Sequence, residues 1–194
     1  MPELGLRSAF SRRVSRILAR MRREGRSGSA AVEFAMIAPV LFLFLCGIIE
    51  TGVLFFANGA LQDATDTTAR MVRTGQLTGP ITATVLKTNI CAAISNLIST
   101  SSCNANLQVD LRSYSDFPAT SYTAITNPDG SLNTSQMTVQ STATCQVILM
   151  RSFYPWTIMT PLMTTLLENM PNGQRLLTAA SAFRAEPYTS GSTC

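Results

Sequence analysis

One stretch limits what this chain can fold into. It opens with Gly28-Ser-Ala-Ala-Val-Glu-Phe-Ala-Met-Ile-Ala-Pro-Val and runs on, almost wholly apolar, to Ala57. The run from Phe34 to Ala57 is roughly 24 residues, which as a helix would cover about 36 Å. That is enough to cross the hydrocarbon core of a bilayer with some tilt. A carboxylate, Glu33, stands at its head, and Pro39 and Glu50 interrupt the run without ending it. Pro39 lacks a backbone donor, so a kink or a local unwinding is expected there.

Charge is distributed around this stretch unevenly. The whole chain carries a formal +4 with only 13% charged residues. Residues 1–28 hold Arg7, Arg12, Arg13, Arg16, Arg20, Arg22, Arg23 and Arg26 against Glu3 and Glu24, so the remainder is slightly acidic. The sequence pI near 9.0 describes the leader, not the rest. Arginine excess beside a first apolar span holds that end in the cytoplasm and sends the downstream chain across the membrane. Phe10, Val14, Ile17, Leu18 and Met21 recur at helical spacing among the arginines. They fit a basic amphipathic helix on an anionic surface, or equally a plain positive tail that only sets orientation. No basic stripe with interleaved aromatics lies downstream, so no nucleic-acid partner is expected. Histidine is absent, which removes Ser-His-Asp and Cys-His catalysis and His-ligated zinc.

The apolar run exceeds an ordinary secretory signal of roughly 7–15 residues. A lipoprotein cut before Cys46 is disfavoured by Leu45. An uncleaved signal anchor would explain the run but not Glu33. A carboxylate there costs about 2.5–3.5 kcal/mol on insertion scales if it lies at mid-membrane, and less near the interface. Its spacing from Gly28 is informative. A cut after Gly28 makes Ser29 the first residue and Glu33 the fifth, whereas a cut after Gly25 would put Ala30 fifth. The pattern resembles a class III leader, which prepilin peptidase cuts after a glycine on the cytoplasmic face.

Residues 26–40, Arg-Ser-Gly-Ser-Ala-Ala-Val-Glu-Phe-Ala-Met-Ile-Ala-Pro-Val, resemble the opening of TadE-like proteins, minor pilins of the Flp/Tad type IV pilus system. The resemblance continues through Glu50-Thr51-Gly52 and from Ala64 to Ala69-Arg70. It returns at Phe183-Arg184-Ala185-Glu186-Pro187-Tyr188, although this chain runs on to Cys194. Residues 76–175 match only loosely. TadG-type relatives carry a larger exported domain. The resemblance implies a pseudopilin that prepilin peptidase trims between Gly28 and Ser29. Its partners would be the peptidase, other pilins and pseudopilins, the Tad inner-membrane assembly platform and membrane lipid. It would sit in the bacterial inner membrane as a single pass, N-terminus cytoplasmic and C-terminal domain periplasmic, or be extracted into the extracellular pilus to prime it or form an adhesive tip. Glu33 is the expected register and assembly residue, pairing with the new Ser29 amine of a neighbour; such pairs fix register more than they add stability. Gly47 and Gly52 would let helices approach closely, or are simply glycines of the kind membrane helices tolerate, the stronger reading for either one singly. The alternative is an untrimmed, signal-anchored periplasmic interaction protein. No enzyme activity, cofactor or metal is expected.

The rest reads as a small α+β unit. Leu61, Ala64, Thr68, Met71 and Val72 recur at helical spacing, with Gly75 as the stop and Asn58-Gly59 as a potential break. Unbroken from Ser29 to Thr74, the helix would be roughly 70 Å long. A second helix is expected over 81–99, a polar break over 99–106, and a strand over 107–112. Residues 113–135 read as an exposed loop, 137–150 as a long strand bulged near Ala143, 156–169 as a short helix and 176–183 as a last strand. The expected organisation is a leader (1–28), a long helix (29–75) with its transmembrane span at 34–57, and an exported α+β domain (76–194). The layout is the lollipop of pilins: a long N-terminal helix, a second helix and a few antiparallel strands. Cys91, Cys103, Cys145 and Cys194 fall on the exported side and allow three pairings of two disulfides. Cys91–Cys103 and Cys145–Cys194 are favoured. The acids Asp110, Asp116, Asp129, Glu168 and Glu186 are scattered, and a solvated face is the expectation for each.

Overall fold

A computed structural model describes residues 4–77, 79–122, 124–160 and 162–187, with side chains described from Gly28 onward. The chain divides into two units, Met1–Ile48 and Ile49–Cys194. One helix, α1 (Leu4–Arg73), supplies the first and opens the second. Its helical assignment continues through Pro39 and through Asn58-Gly59. In the first unit the apolar side chains have no cover: Val32, Phe34, Met36, Ile37, Val40, Phe42 and Phe44 are all exposed. Length and composition make the helix from Gly28 onward a candidate membrane span.

The second unit opens within α1, and burial explains why. From Glu50 onward one face of α1 is packed: Glu50, Leu54, Ala57, Leu61, Ala64, Thr65, Thr68, Ala69 and Val72 are buried. These positions step by three and four, the repeat of a helix face. Thr65 and Thr68 return their hydroxyl protons to the carbonyls of Leu61 and Ala64, so neither is an unsatisfied polar group in the core. The helix stops as its sequence requires. Gly75 takes φ 65°, Gly75 N–H reaches Val72 O at 3.3 Å and Gln76 N–H reaches Met71 O at 2.9 Å. That pair of bonds is a Schellman cap.

The expected second helix is shorter than 81–99. It is α2 (Ala83–Ala93), capped by Thr82, whose hydroxyl accepts from Val85 N–H. Residues expected to break structure instead form α3 (Thr100–Asn106), capped by Ser99. A disulfide between Cys91 and Cys103 joins the two helices. Cys103 and Leu107 are fully buried, so packing and a cross-link override the low helix propensity of a Ser/Asn-rich heptad.

The sheet has three antiparallel strands in the order β1 (Gln108–Tyr114), β2 (Val147–Thr157), β3 (Gln174–Arg184). The long strand expected over 137–150 is broken. Cys145 takes φ 69°, which turns the chain just before β2. Residues before that turn add a single parallel bridge, Val139 to Leu111. Downstream, β2 runs to Thr157 through Pro155, and the helix expected over 156–169 contracts to α4 (Thr164–Leu167). A proline in a central strand is tolerated because the β1 ladder ends at Phe153, leaving β3 as the neighbour there.

Register decides which side chains meet. Leu111 faces Met150, Val109 faces Ser152 and Ile148 faces Phe183, all on the side that packs against α1, α2 and α3. Asp110 faces Arg151 and Arg112 faces Leu149, so these lie on the opposite side. The α+β expectation therefore stands: a long N-terminal helix followed by a small domain of helices and antiparallel strands.

Candidate functional site

Three carboxylates organise the polar structure, and each is held differently. Glu33 lies at the head of the apolar helix, exposed among exposed apolar neighbours. Ser29, one turn earlier, donates its hydroxyl to Glu33 Oε1 at 3.1 Å. The sequence-selected pair thus shares a helix face, as i, i+4 spacing demands. Gly28 is exposed and helical, and a Cβ built on it would meet nothing within 4 Å. A side chain at position 28 therefore disturbs nothing in this chain. Gly52, expected to permit close helix approach, is likewise open, with nothing within 4 Å of an added Cβ.

Glu50 is buried, on the same helix, where the apolar run meets the second unit. Its Oε1 accepts from Met159 N–H at 3.2 Å. Its Oε2 accepts from Thr160 N–H at 3.2 Å and from Thr160 Oγ1 at 2.8 Å. Three donors on a buried carboxylate are the compensation that burial requires. The carboxylate is thus a clasp between α1 and the turn that leaves β2, across 109 positions of sequence.

Asp110 is fully buried, a correction to the expected solvated face. Arg151 donates to its Oδ2 through Nη2 at 2.6 Å and Nε at 3.1 Å. Arg112 Nε reaches both oxygens, at 3.2 and 3.1 Å, and Thr138 N–H reaches Oδ1 at 3.0 Å. Arg112 Nη2 also binds Gln136 O at 2.6 Å. The guanidinium of Arg151 lies over the rings of Tyr122 and Phe153, 5.9 and 5.6 Å from their centroids. The cluster fastens Tyr122, Gln136 and Thr138 at the outer face of the sheet. Alternating apolar and charged residues showed β1 as a strand. They did not show that a Ser/Thr-rich segment would close over its polar side.

A second polar device runs along β3. Asn58 Oδ1 accepts from Thr178 N–H at 3.2 Å. Gln62 both donates to Ala180 O at 3.0 Å and accepts from Ala180 N–H at 3.2 Å. Side chains one helical turn apart thus satisfy backbone groups two residues apart on an edge strand. Arg73 and Glu186 extend the contact with an exposed ion pair at 3.1 Å.

The favoured pairing Cys145–Cys194 lies partly outside the described residues, as Cys194 does. Cys46 is a free, exposed thiol in the apolar run. Among the described residues, no group of three or more His, Cys, Asp or Glu could hold a metal ion. Each of the buried acids already spends its oxygens on structural donors.

Comparison with known proteins bears on the helix. Residues 28–70 match the family model described as TadE-like protein. This segment is similar to TadE-like proteins. The match starts at Gly28 and takes in Ser29, Glu33 and Glu50, together with the packed face of α1 through Ala69. The match covers less than a quarter of the chain and lies wholly within α1. Residues 183–188, which resemble the family's ending, lie outside the matched range. Neither the curated proteins nor the solved structures yield a match.

Proposed function

We propose that this chain is a minor pilin, a pseudopilin of the Tad (Flp) pilus. It is made as a precursor whose arginine-rich leader stays in the cytoplasm while the domain is exported. Prepilin peptidase cuts between Gly28 and Ser29. The observation that carries the reading is the TadE-like match beginning at Gly28, with Glu33 fifth from the cut and an uncovered apolar helix behind it. An exposed apolar helix needs lipid before assembly and neighbouring helices after it.

Glu33 then changes partner. In the intact chain its near partner is the Ser29 hydroxyl. Cutting creates an ammonium at Ser29, and Glu33 of one subunit pairs with that group on the next, fixing the axial offset between copies. The trimmed subunit is drawn from the inner-membrane platform into the filament, where it primes assembly or forms an adhesive tip.

Substitution separates the steps. Gly28→Ala should abolish trimming without destabilising the domain, because position 28 has open space around it. Glu33→Ala should leave trimming intact and lower the number of assembled pili by an order of magnitude or more. Normal piliation in the Glu33→Ala strain would remove the role given to that carboxylate.

A further inference from the structure

Strand β2 outruns β1. The β1 ladder ends at Phe153, and β2 continues through Tyr154, Pro155, Trp156 and Thr157. Leu176 N–H bonds Asn169 Oδ1 and so points away from β2. Its pair partner, Pro155, therefore directs its backbone toward the side that β1 does not reach. Proline has no N–H to offer there, so a longer β1 would find no donor to pair with. In its place lies a hollow of about 490 Å³ between the end of β2 and α3. The hollow belongs wholly to the second unit.

Two kinds of wall meet in it. Tyr154 and Trp156, two positions apart, set their rings on the same side of β2. Trp156 is half-buried and its indole N–H has no acceptor among the described residues, so packing alone holds the ring. The other wall is α3 with its cap. Ser99, Ser102 and Asn106 follow one another at helical spacing and line the hollow, while Cys103 and Leu107 are buried in the core. The Cys91–Cys103 bond ties this wall to α2. Thr157 and Gln174, paired across β2 and β3, complete the lining. None of the described lining residues is charged. Among the described residues, the hydroxyls of Ser102 and Thr157 and the side-chain amide of Gln174 make no hydrogen bond, and Asn106 spends only Nδ2, on Ser102 O.

Uncommitted hydroxyls and amides can donate and accept, and here they stand beside two aromatic rings in an uncharged lining. That combination suits a neutral sugar, whose hydroxyls also donate and accept and whose C–H face packs on a ring. An anionic ligand would find no cation in this lining. We propose that the hollow binds a neutral saccharide. Tyr154 and Trp156 form the platform, and Ser102, Asn106, Thr157 and Gln174 supply the hydrogen bonds. This goes beyond the pilin reading and holds for trimmed and untrimmed chains alike.

Trp156 is the single tryptophan of the chain, so its emission reports on the hollow directly. The full chain, in a zwitterionic detergent that carries no sugar, is titrated with lactose, maltotriose and triacetylchitotriose, and with a heparin disaccharide as the anionic comparator. At least one neutral sugar should change the emission saturably by about 10 mM. Ser102→Ala combined with Gln174→Ala should weaken that binding roughly tenfold or more. The double variant should keep the parent Tm, since neither side chain bonds another described residue. No saturable change with any of the neutral sugars would overturn the proposal. So would a change that the double variant retains at full affinity, or a heparin disaccharide that binds as tightly as the best neutral sugar.

Discussion

Asp110 spends every contact on holding two arginines and a backbone amide, and its burial makes that commitment costly to undo. Removing one partner of a buried charge pair typically costs about 3–5 kcal/mol, because the other charge is stranded. Asp110→Ala should therefore lower Tm by roughly 10 °C in detergent, and Arg112→Ala, whose side chain is 19% exposed against 5% for Arg151, should cost less. Melting followed by circular dichroism reads both. Asp129 behaves differently. It sits in the turn Asn127-Pro128-Asp129-Gly130, where Gly130 takes φ 81° and donates to Asn127 O. Hydrogen bonds from the Ser131 hydroxyl and N–H hold its carboxyl below the ordinary 3.8. A lowered carboxyl stabilises the turn above the ordinary value and loses that contribution as pH falls through the lowered one. Carboxyl-carbon NMR should show Asp129 titrating below 3.8, and Ser131→Ala should move it back up.

Among the elements, α2 and α3 depend on their cross-link. The disulfide closes a loop with a separation of 12 residues. Closing such a loop is worth about 2–4 kcal/mol. Cys91→Ser with Cys103→Ser should cost that much in chemical denaturation and should speed amide exchange over Thr100–Asn106 before it affects the sheet. Unchanged exchange in α3 would show that Leu107 packing alone holds that helix. The same elements show what the sequence carried. The helix face of α1, its Gly75 cap and the last strand were legible because local periodicity and turn chemistry decide them. The short helix α3 was not, since Ser and Asn predict a break unless a buried Cys103 supplies the missing energy. The strand expected over 137–150 failed at Cys145, whose left-handed backbone has no signal in a run of Thr, Ala and Val. Glu50 was visible as an acid in an apolar run, but its donors lie at residues 159 and 160. Asn58 read as part of a potential helix break, and only tertiary packing makes it and Gln62 the cover of an edge strand.

At the scale of the whole molecule, an arginine-rich leader, an uncovered apolar helix and a tied-down domain are, on the function proposed, the parts of a precursor awaiting a cut. The proposed cut would create the charge that Glu33 is proposed to meet, and everything proposed for assembly depends on it. The most direct measurement is the N-terminal residue and intact mass of the protein recovered from membranes with and without prepilin peptidase. The account predicts a chain starting at Ser29 when the peptidase is present and at Met1 when it is absent. A chain starting at Met1 in both would contradict it.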